Sequence, residues 1–424
     1  MHGVGIVLAL VVLGTAVATF ARRWSVPAPS LLVLAGVAVA LVPGVPQVRV
    51  APETIALLVL PPLLYASAEE MSPRELRAVW RPVAVLALGL VLATAAAVAG
   101  LGLMLSGLSA SMAFVLGAVL ASTDPVAVTA LARRLPLPAR IQTLVQAESL
   151  FNDATSLVLF KVAVGIAVSV GGVSWLGAGG QFVLLAGGGA GIGAAVSVLV
   201  TMLRSRTADP VLQTVIALVT PYAAYMLAET ADTSGVTAVV VAGVAAGGTG
   251  YRVTDARIRL QVHSVYAVIV FLLESVVFAL IGLELPTLVR DLPPGSDMWP
   301  LQAAALAAAL IGIRILYVGP TVALARSVDF RTWPLTRVVT WAGTRGVMPL
   351  AAALAIPLAT DAGAPLAGRP LILVLTTAVV ATTLTVQGLT LAAVVRTSGL
   401  AVDPERIADK EAAARQKLAR AALD

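Results

Sequence analysis

The sequence predicts an all-α polytopic membrane protein, and three observations predict it. The 424 residues are 59% hydrophobic and only 12% charged, with a mean hydropathy of +0.97, whereas soluble domains carry about 25% charged residues. About thirteen apolar stretches approach the roughly 17–25 residues that a spanning helix needs. The arginines between them gather in alternate loops, as in a chain that crosses a bilayer repeatedly. Strands are not expected, because period-two alternation is missing from the apolar runs.

The stretches lie near 3–21, 28–43, 53–70, 82–105, 111–132, 141–171, 176–202, 210–228, 234–248, 262–288, 299–325, 337–357 and 370–395. The first ends in "AVATFA", which could pass for a signal-peptide cleavage site. It has no basic leader and runs into Arg22 and Arg23, so a retained helix is expected. The fifth is interrupted by "STDPVAV", where Pro125 follows Asp124. Proline removes a backbone donor and drives the preceding residue out of helical geometry. The sixth is long and carries Glu148, Ser149, Asn152 and Asp153. In the seventh, "GAGIGA" fits the dinucleotide pattern but follows no strand; Gly187/Gly191 and Gly189/Gly193 read instead as close helix packing. The ninth is short, the tenth is long and holds Glu274, and the eleventh holds Arg314. The twelfth contains a second break, "WAGTRGVMPLAAALAIP", with Gly343, Gly346 and Pro349 around Arg345. Interrupted spans in matching positions of two halves point to an inverted-repeat transporter with a midplane site. Residues 399–424 form a short polar tail, with Asp403-Pro404 positioned to open one amphipathic helix.

Arg22 and Arg23, then Arg74, Arg77 and Arg81, then Arg133, Arg134 and Arg140 fall on one side. Arg204 and Arg206, Arg252, Arg257 and Arg259, and Arg326, Arg331 and Arg337 continue the series, and the tail joins it. The opposite loops hold only Arg49, Arg290 and Arg369. The positive-inside rule then predicts an outside N-terminus and a cytoplasmic tail in a cell membrane. Trp24, Trp80, Trp299 and Trp333 fall near span ends, as an interfacial belt would. The pI of 10.0 and net charge of +6 do not indicate nucleic acid, since the basic residues are dispersed. With no cysteine and only His2 and His263, neither thiolate metal sites nor a Ser/His/Asp enzyme is well supplied. No cofactor is expected.

Charges inside spans carry the functional argument. Asp124, Glu148, Asp153 and Glu274 face at most Lys161, Arg314 and Arg345, and Lys161 lies near the outer end of its span. A mid-bilayer charge costs roughly 3 kcal/mol on insertion scales, so these groups should pair or do work. At least one carboxylate lacks a fixed partner and should titrate or hold a mobile cation. Glu148, Arg345 and Asp124 each lie eight or nine residues from a loop arginine, about 12–14 Å deep. Ser149 and Asp153 share a helix face, while Glu148 diverges from Asp153 by about 140° and can turn toward Arg345. Glu274 and Arg314, about 22 and 18 Å deep by the same arithmetic, form a second candidate pair that would fix the tenth and eleventh spans together; the alternatives are that Arg314 reaches the lipid headgroups or that Glu274 faces the ion path.

"STDPVAVTAL", "ESLFNDATSLVLF", "FALIGLEL" and "WAGTRGVMPLAAALAIP", with "LVLPPLLYASAEE" and "VTPYAAYMLAE", resemble the monovalent cation/proton antiporter-1 family. That family holds the bacterial and eukaryotic sodium/proton exchangers, and the resemblance covers essentially the whole chain. It implies an NhaA-like fold: thirteen helices in two inverted six-helix repeats with crossed broken helices, homodimers, and elevator-type alternating access. Residues 1–398 would form the antiporter domain. Its core elements would lie near 53–171 and 262–395, with breaks at 121–127 and 342–349, and its dimerisation elements would include 1–43 and 176–248. The implied Na+ ligands are Asp124, the Thr123 carbonyl, Ser149 and Asp153. The resemblance also makes Asn152 the residue that ties down the unwound crossing, and Glu148 with Arg345 the stabilising pair.

These oxygen donors suit a hard cation. Protons and Na+ competing for the same carboxylates give exchange, and Asn152 in place of a second aspartate resembles the electroneutral, one-for-one branch. Transported Na+ and H+ are therefore the expected partners, with K+ or Li+ as alternatives to Na+ and a cation channel as the other class of reading. One departure stands out. Many relatives place an acidic residue directly after the aromatic of the third span, where this chain has Ala66 after Tyr65. Glu69 and Glu70 read as solvated residues at the cytoplasmic mouth, and His263 reads as interfacial rather than as a pH sensor.

Overall fold

The computed structural model describes residues 2–24, 28–43, 51–124, 139–169, 175–292, 296–324 and 333–398. Among these the regular structure is helical, with one isolated bridge between Ala359 and Pro365. The tail, with Asp403 and Pro404, lies outside the described residues, as does Pro125.

The helices are α1 (His2–Trp24), α2 (Ala28–Ala40), α3 (Pro52–Glu69), α4 (Pro73–Leu105), α5 (Ala110–Ala121), α6 (Ala139–Val168) and α7 (Trp175–Ser205). They continue as α8 (Pro210–Thr230), α9 (Gly235–Val253), α10 (Ala256–Arg290), α11 (Trp299–Leu324), α12 (Trp333–Trp341), α13 (Val347–Leu354) and α14 (Arg369–Ser398). Seven of them are long and apolar enough to cross a bilayer, and shorter apolar helices accompany them. The chain is a multi-pass membrane protein.

Local chemistry explains the helix ends. Asp209 caps α8 by accepting from the Val211 and Leu212 amides at 2.7 and 3.2 Å, with Pro210 at the first helical position, where its missing donor costs nothing. The fourth helix starts at Pro73, nine residues before the apolar run, because its first turns are amphipathic, with Val79 and Val83 buried. Within it, Val85–Leu90 widens into a π-turn whose Val85 carbonyl accepts from Tyr317 Oη at 3.2 Å.

The glycine spacing in α7 is half explained by packing. A side chain at Gly189 or Gly193 would strike the Ser234 or Ala238 carbonyl of the α9 segment, whereas Gly187 and Gly191 face open space. One row of the pair serves close approach.

By packing, the helices form two groups. The first joins α1, α2, α3 and α7–α10: α2 lies along α10, and α9 packs on α3, α7 and α8. The second joins α4–α6 and α11–α14, with α4 on α5, α5 on α6, and α14 against α11, α12 and α13. The sequence reading assigned residues 53–70 and 262–288 to the core elements; packing puts α3 and α10 with the other group.

Candidate functional site

The fifth and twelfth spans both break, and the breaks meet. Helix α5 ends at Ala121, and Ser122 is already extended (φ −63°, ψ 144°), earlier than Pro125 alone would require. Helix α12 ends at Trp341 and α13 begins at Val347. The two unwound strands of backbone bond to each other: the Asp124 amide donates to the Thr344 carbonyl at 2.8 Å, and Thr344 Oγ1 donates to the Asp124 carbonyl at 2.8 Å. Backbone groups freed from helices at membrane depth must find partners inside the protein, and here each break supplies the other.

Helix α6 runs beside this crossing and fastens it. Asn152 Nδ2 donates to Thr123 Oγ1 at 2.8 Å, and Ser149 Oγ donates to the Thr123 carbonyl at 2.6 Å. Ser122 Oγ donates to Asp153 Oδ1. Ser156 Oγ, one turn on, reaches the Ala118 carbonyl at 2.8 Å. Thr123, Asp124, Ser149, Asn152 and Asp153 are all buried. The structure thus brings together every residue expected to bind the ion. It adds two that the sequence reading missed, Ser122 and Thr344. Ser122 could have been suspected from its place in "ASTDP"; Thr344 has no signal apart from the crossing itself.

Gly346 is required by the same geometry. A Cβ there would overlap the Asp124 carboxylate, so only glycine lets that carboxylate sit against the second break. Gly346 also opens α13, the eight-residue half-helix that continues the twelfth span.

The expected Glu148–Arg345 pair is not formed. Glu148 is held by Arg314, through Nη1–Oε1 at 2.8 Å and Nη2–Oε2 at 2.7 Å, with both side chains buried. Arg314 also donates to the Val339 carbonyl at 3.1 Å, near the end of α12, where the helix dipole favours a cation. A planar fork can serve carboxylate and carbonyl together, and Arg314 does both at once. Arg345 instead donates to the Gly343 carbonyl at 3.1 Å, while its amide donates to Thr383 Oγ1 at 3.3 Å. It remains within electrostatic range of Glu148 and Asp153. The expected Glu274–Arg314 pair falls with the same observation.

Glu274 lies elsewhere. It lines a cavity of about 980 Å³ together with Asp124, Ser149, Asp153, Val347 and Met348. The cavity runs between the two helix groups and opens beside exposed Glu70 and His263. At its mouth Glu70 lies 3.5 Å from His263, and Glu69 forms an ion pair with buried Arg204 at 3.8 Å. Ala66 lies in its wall. Lys161 sits well away from the deep charges, donating to both Glu229 oxygens at 3.0 and 2.8 Å and to the Thr233 carbonyl at 2.8 Å. Among the described residues no three Asp, Glu or His side chains converge tightly enough to hold a metal ion by themselves.

Crossed broken helices, buried carboxylates and one open cavity leading to them define a secondary transporter. The family profile described as the transmembrane sodium/hydrogen exchanger matches residues 6–397. An uncharacterized Na+/H+ exchanger of Mycobacterium tuberculosis is 37% identical over the whole chain and 80% of its own length. The Na+/H+ antiporter ApNhaP of Aphanothece halophytica is 34% identical, over 91% of this chain and 72% of its own. The structure of the sodium proton antiporter MjNhaP1 from Methanocaldococcus jannaschii superposes with a TM-score of 0.75 at 19% identity, covering 95% of this chain and 98% of that one. The protein belongs to the monovalent cation/proton antiporter family of sodium/hydrogen exchangers.

Proposed function

We propose that the protein exchanges Na+ for H+ across the cell membrane, one for one, as a homodimer. Asp124 and Asp153 are the competing sites for cation and proton, with Ser149 and the Thr123 carbonyl as further oxygen ligands. Asn152 fixes the crossing, and the Glu148–Arg314 pair holds α6 against α11. The observation that carries this reading is the position of Asp124, Ser149 and Asp153 at the inner end of one open cavity. In the Ser149–Thr123 and Ser122–Asp153 contacts the serine hydroxyls donate to a carbonyl and a carboxylate oxygen, acceptors whose lone pairs a cation can take in place of the serine proton.

The α4–α6/α11–α14 group carries the ion and slides against the rest as an elevator. The cavity's location between the groups supports this. The N-terminus is outside and the mouth faces the cytoplasm, as the positions of Arg204 and Arg259 around it suggest. Asn152 offers no second titratable carboxylate, which supports electroneutrality. A K+-transporting variant of the reading is supported by a Bacillus pumilus relative, 31% identical, named a sodium, potassium, lithium and rubidium/H+ antiporter.

Proteoliposomes with an internal pH dye test the proposal. Na+ or Li+ should drive a pH change that an imposed membrane potential does not alter. Asp124→Asn and Asp153→Asn should each abolish it while leaving folded protein. Exchange surviving in either variant removes that residue from the site, and a potential-driven rate removes the one-for-one stoichiometry.

A further inference from the structure

Five carboxylates line the cavity: Glu69, Glu70, Asp124, Asp153 and Glu274. Glu69 faces Arg204, Glu70 faces His263, and Asp124 and Asp153 form the proposed site. Glu274 is left over. Among the described residues it makes no hydrogen bond or ion pair, because the basic side chains near its depth are engaged elsewhere. Arg314 is held by Glu148, and Arg345 donates to Gly343. An unpartnered carboxylate this deep in a spanning helix is costly and calls for a purpose.

Its placement supplies one. His263, Ala267, Val270, Phe271 and Glu274 recur at three- and four-residue spacing along α10, and all line the cavity. One face of α10 is therefore a wall from the mouth inward, and Glu274 ends it. The residue is deeply enclosed by protein yet partly accessible, since it faces this cavity, and the charge across from it is Asp124. Asp124 stands on the group with the broken helices and Glu274 on the other. Two carboxylates facing one another across a cavity repel unless something positive sits between them.

We propose that Glu274 is a further cation-affinity residue of the transport pathway: its carboxylate draws a dehydrating monovalent cation to the inner end of the cavity and shares it with Asp124 before Asp153 and Ser149 complete the coordination. This rests on the exchange reading above. It assigns to α10 a part in transport that the expected pairing with Arg314 would have denied it. Because α10 packs most extensively along α2, and less on α13 and α14, Glu274 would stay at fixed depth while Asp124 moves, handing the cation over instead of travelling with it.

The test compares wild type, Glu274→Gln and Glu274→Asp in proteoliposomes and in detergent. Glu274→Gln should raise the Na+ concentration for half-maximal exchange roughly tenfold, the effect of one charge several ångströms away inside protein. Its maximal rate and its melting temperature without Na+ should stay near wild type. Na+-dependent thermal stabilisation should shift to higher concentration by the same factor, and Glu274→Asp should restore most of it. An unchanged half-saturating Na+ in a folded Gln variant overturns the inference alone. So does a Gln variant that melts early without Na+ and is not restored by Asp, which makes Glu274 structural. A wild-type protein with no cation-driven pH change overturns the exchange reading and this inference with it.

Discussion

At the scale of single residues, the decisive contact is Glu148 with Arg314. Both are buried and the pair is bidentate, so removing one partner strands a charge, which costs about 3–5 kcal/mol. Glu148→Ala and Arg314→Ala should each lower the melting temperature sharply, and the double variant should lose less than the sum. Glu148→Ala combined with Arg345→Ala should lie closer to additivity, since those two share no direct bond. The reverse pattern in a thermal melt would return Glu148 to Arg345. The sequence made the set of deep charges legible but not the pairing. Counting from loop arginines gives depth along a helix and nothing about azimuth, so it favours Arg345, level with Glu148, over the deeper Arg314 that in fact faces Glu148. The second pair, expected from similar depth on neighbouring helices, therefore fails as well, and Glu274 faces the cavity instead of Arg314.

At the scale of elements, the two breaks were readable because proline and glycine have backbone rules of their own. "STDP" and "GTRGVMP" each violate an apolar helix in a way that only an unwound segment relieves. Their contact was not readable. The Asp124–Thr344 bonds join residues 220 apart, and nothing local in either segment names the other. The contact makes Gly346 the most sensitive small residue in the crossing. Gly346→Ala must push the Asp124 carboxylate aside or reopen the break, an overpacking cost of about 1–3 kcal/mol. It should abolish most exchange with the protein still folded. Gly191→Ala on α7, which faces open space, should leave exchange and stability unchanged or slightly improved, as helix propensity favours alanine. Equal losses in the two variants would mean that Gly346 matters only as a helix-end residue.

At the scale of the whole molecule, the cavity opens at one end of the bundle, and at the far end a half-exposed ion pair ties the two helix groups together. Lys161 lies on α6, eight residues past Asp153 and so about 12 Å further from the mouth; Glu229 lies on α8. If α6 moves with the crossing and α8 does not, this pair must part in every cycle and so favours the arrangement seen here. With both side chains more than a third exposed, its contribution is small, at most about 1 kcal/mol, or roughly a fivefold change in the ratio of the two states. Lys161→Ala should therefore shift the protein toward the opposite opening without stopping exchange. The chain has no cysteine, so a single Leu150→Cys beside Ser149, in the cavity wall, reports accessibility with no background to remove. In sealed vesicles of both orientations, an impermeant thiol reagent should label this cysteine less from the mouth side and more from the far side when Lys161 is alanine. The ratio of the two rates should change by up to about fivefold. A ratio unchanged by the substitution would mean that Lys161 and Glu229 move together, and would place α8 on the same side of the sliding interface as α6.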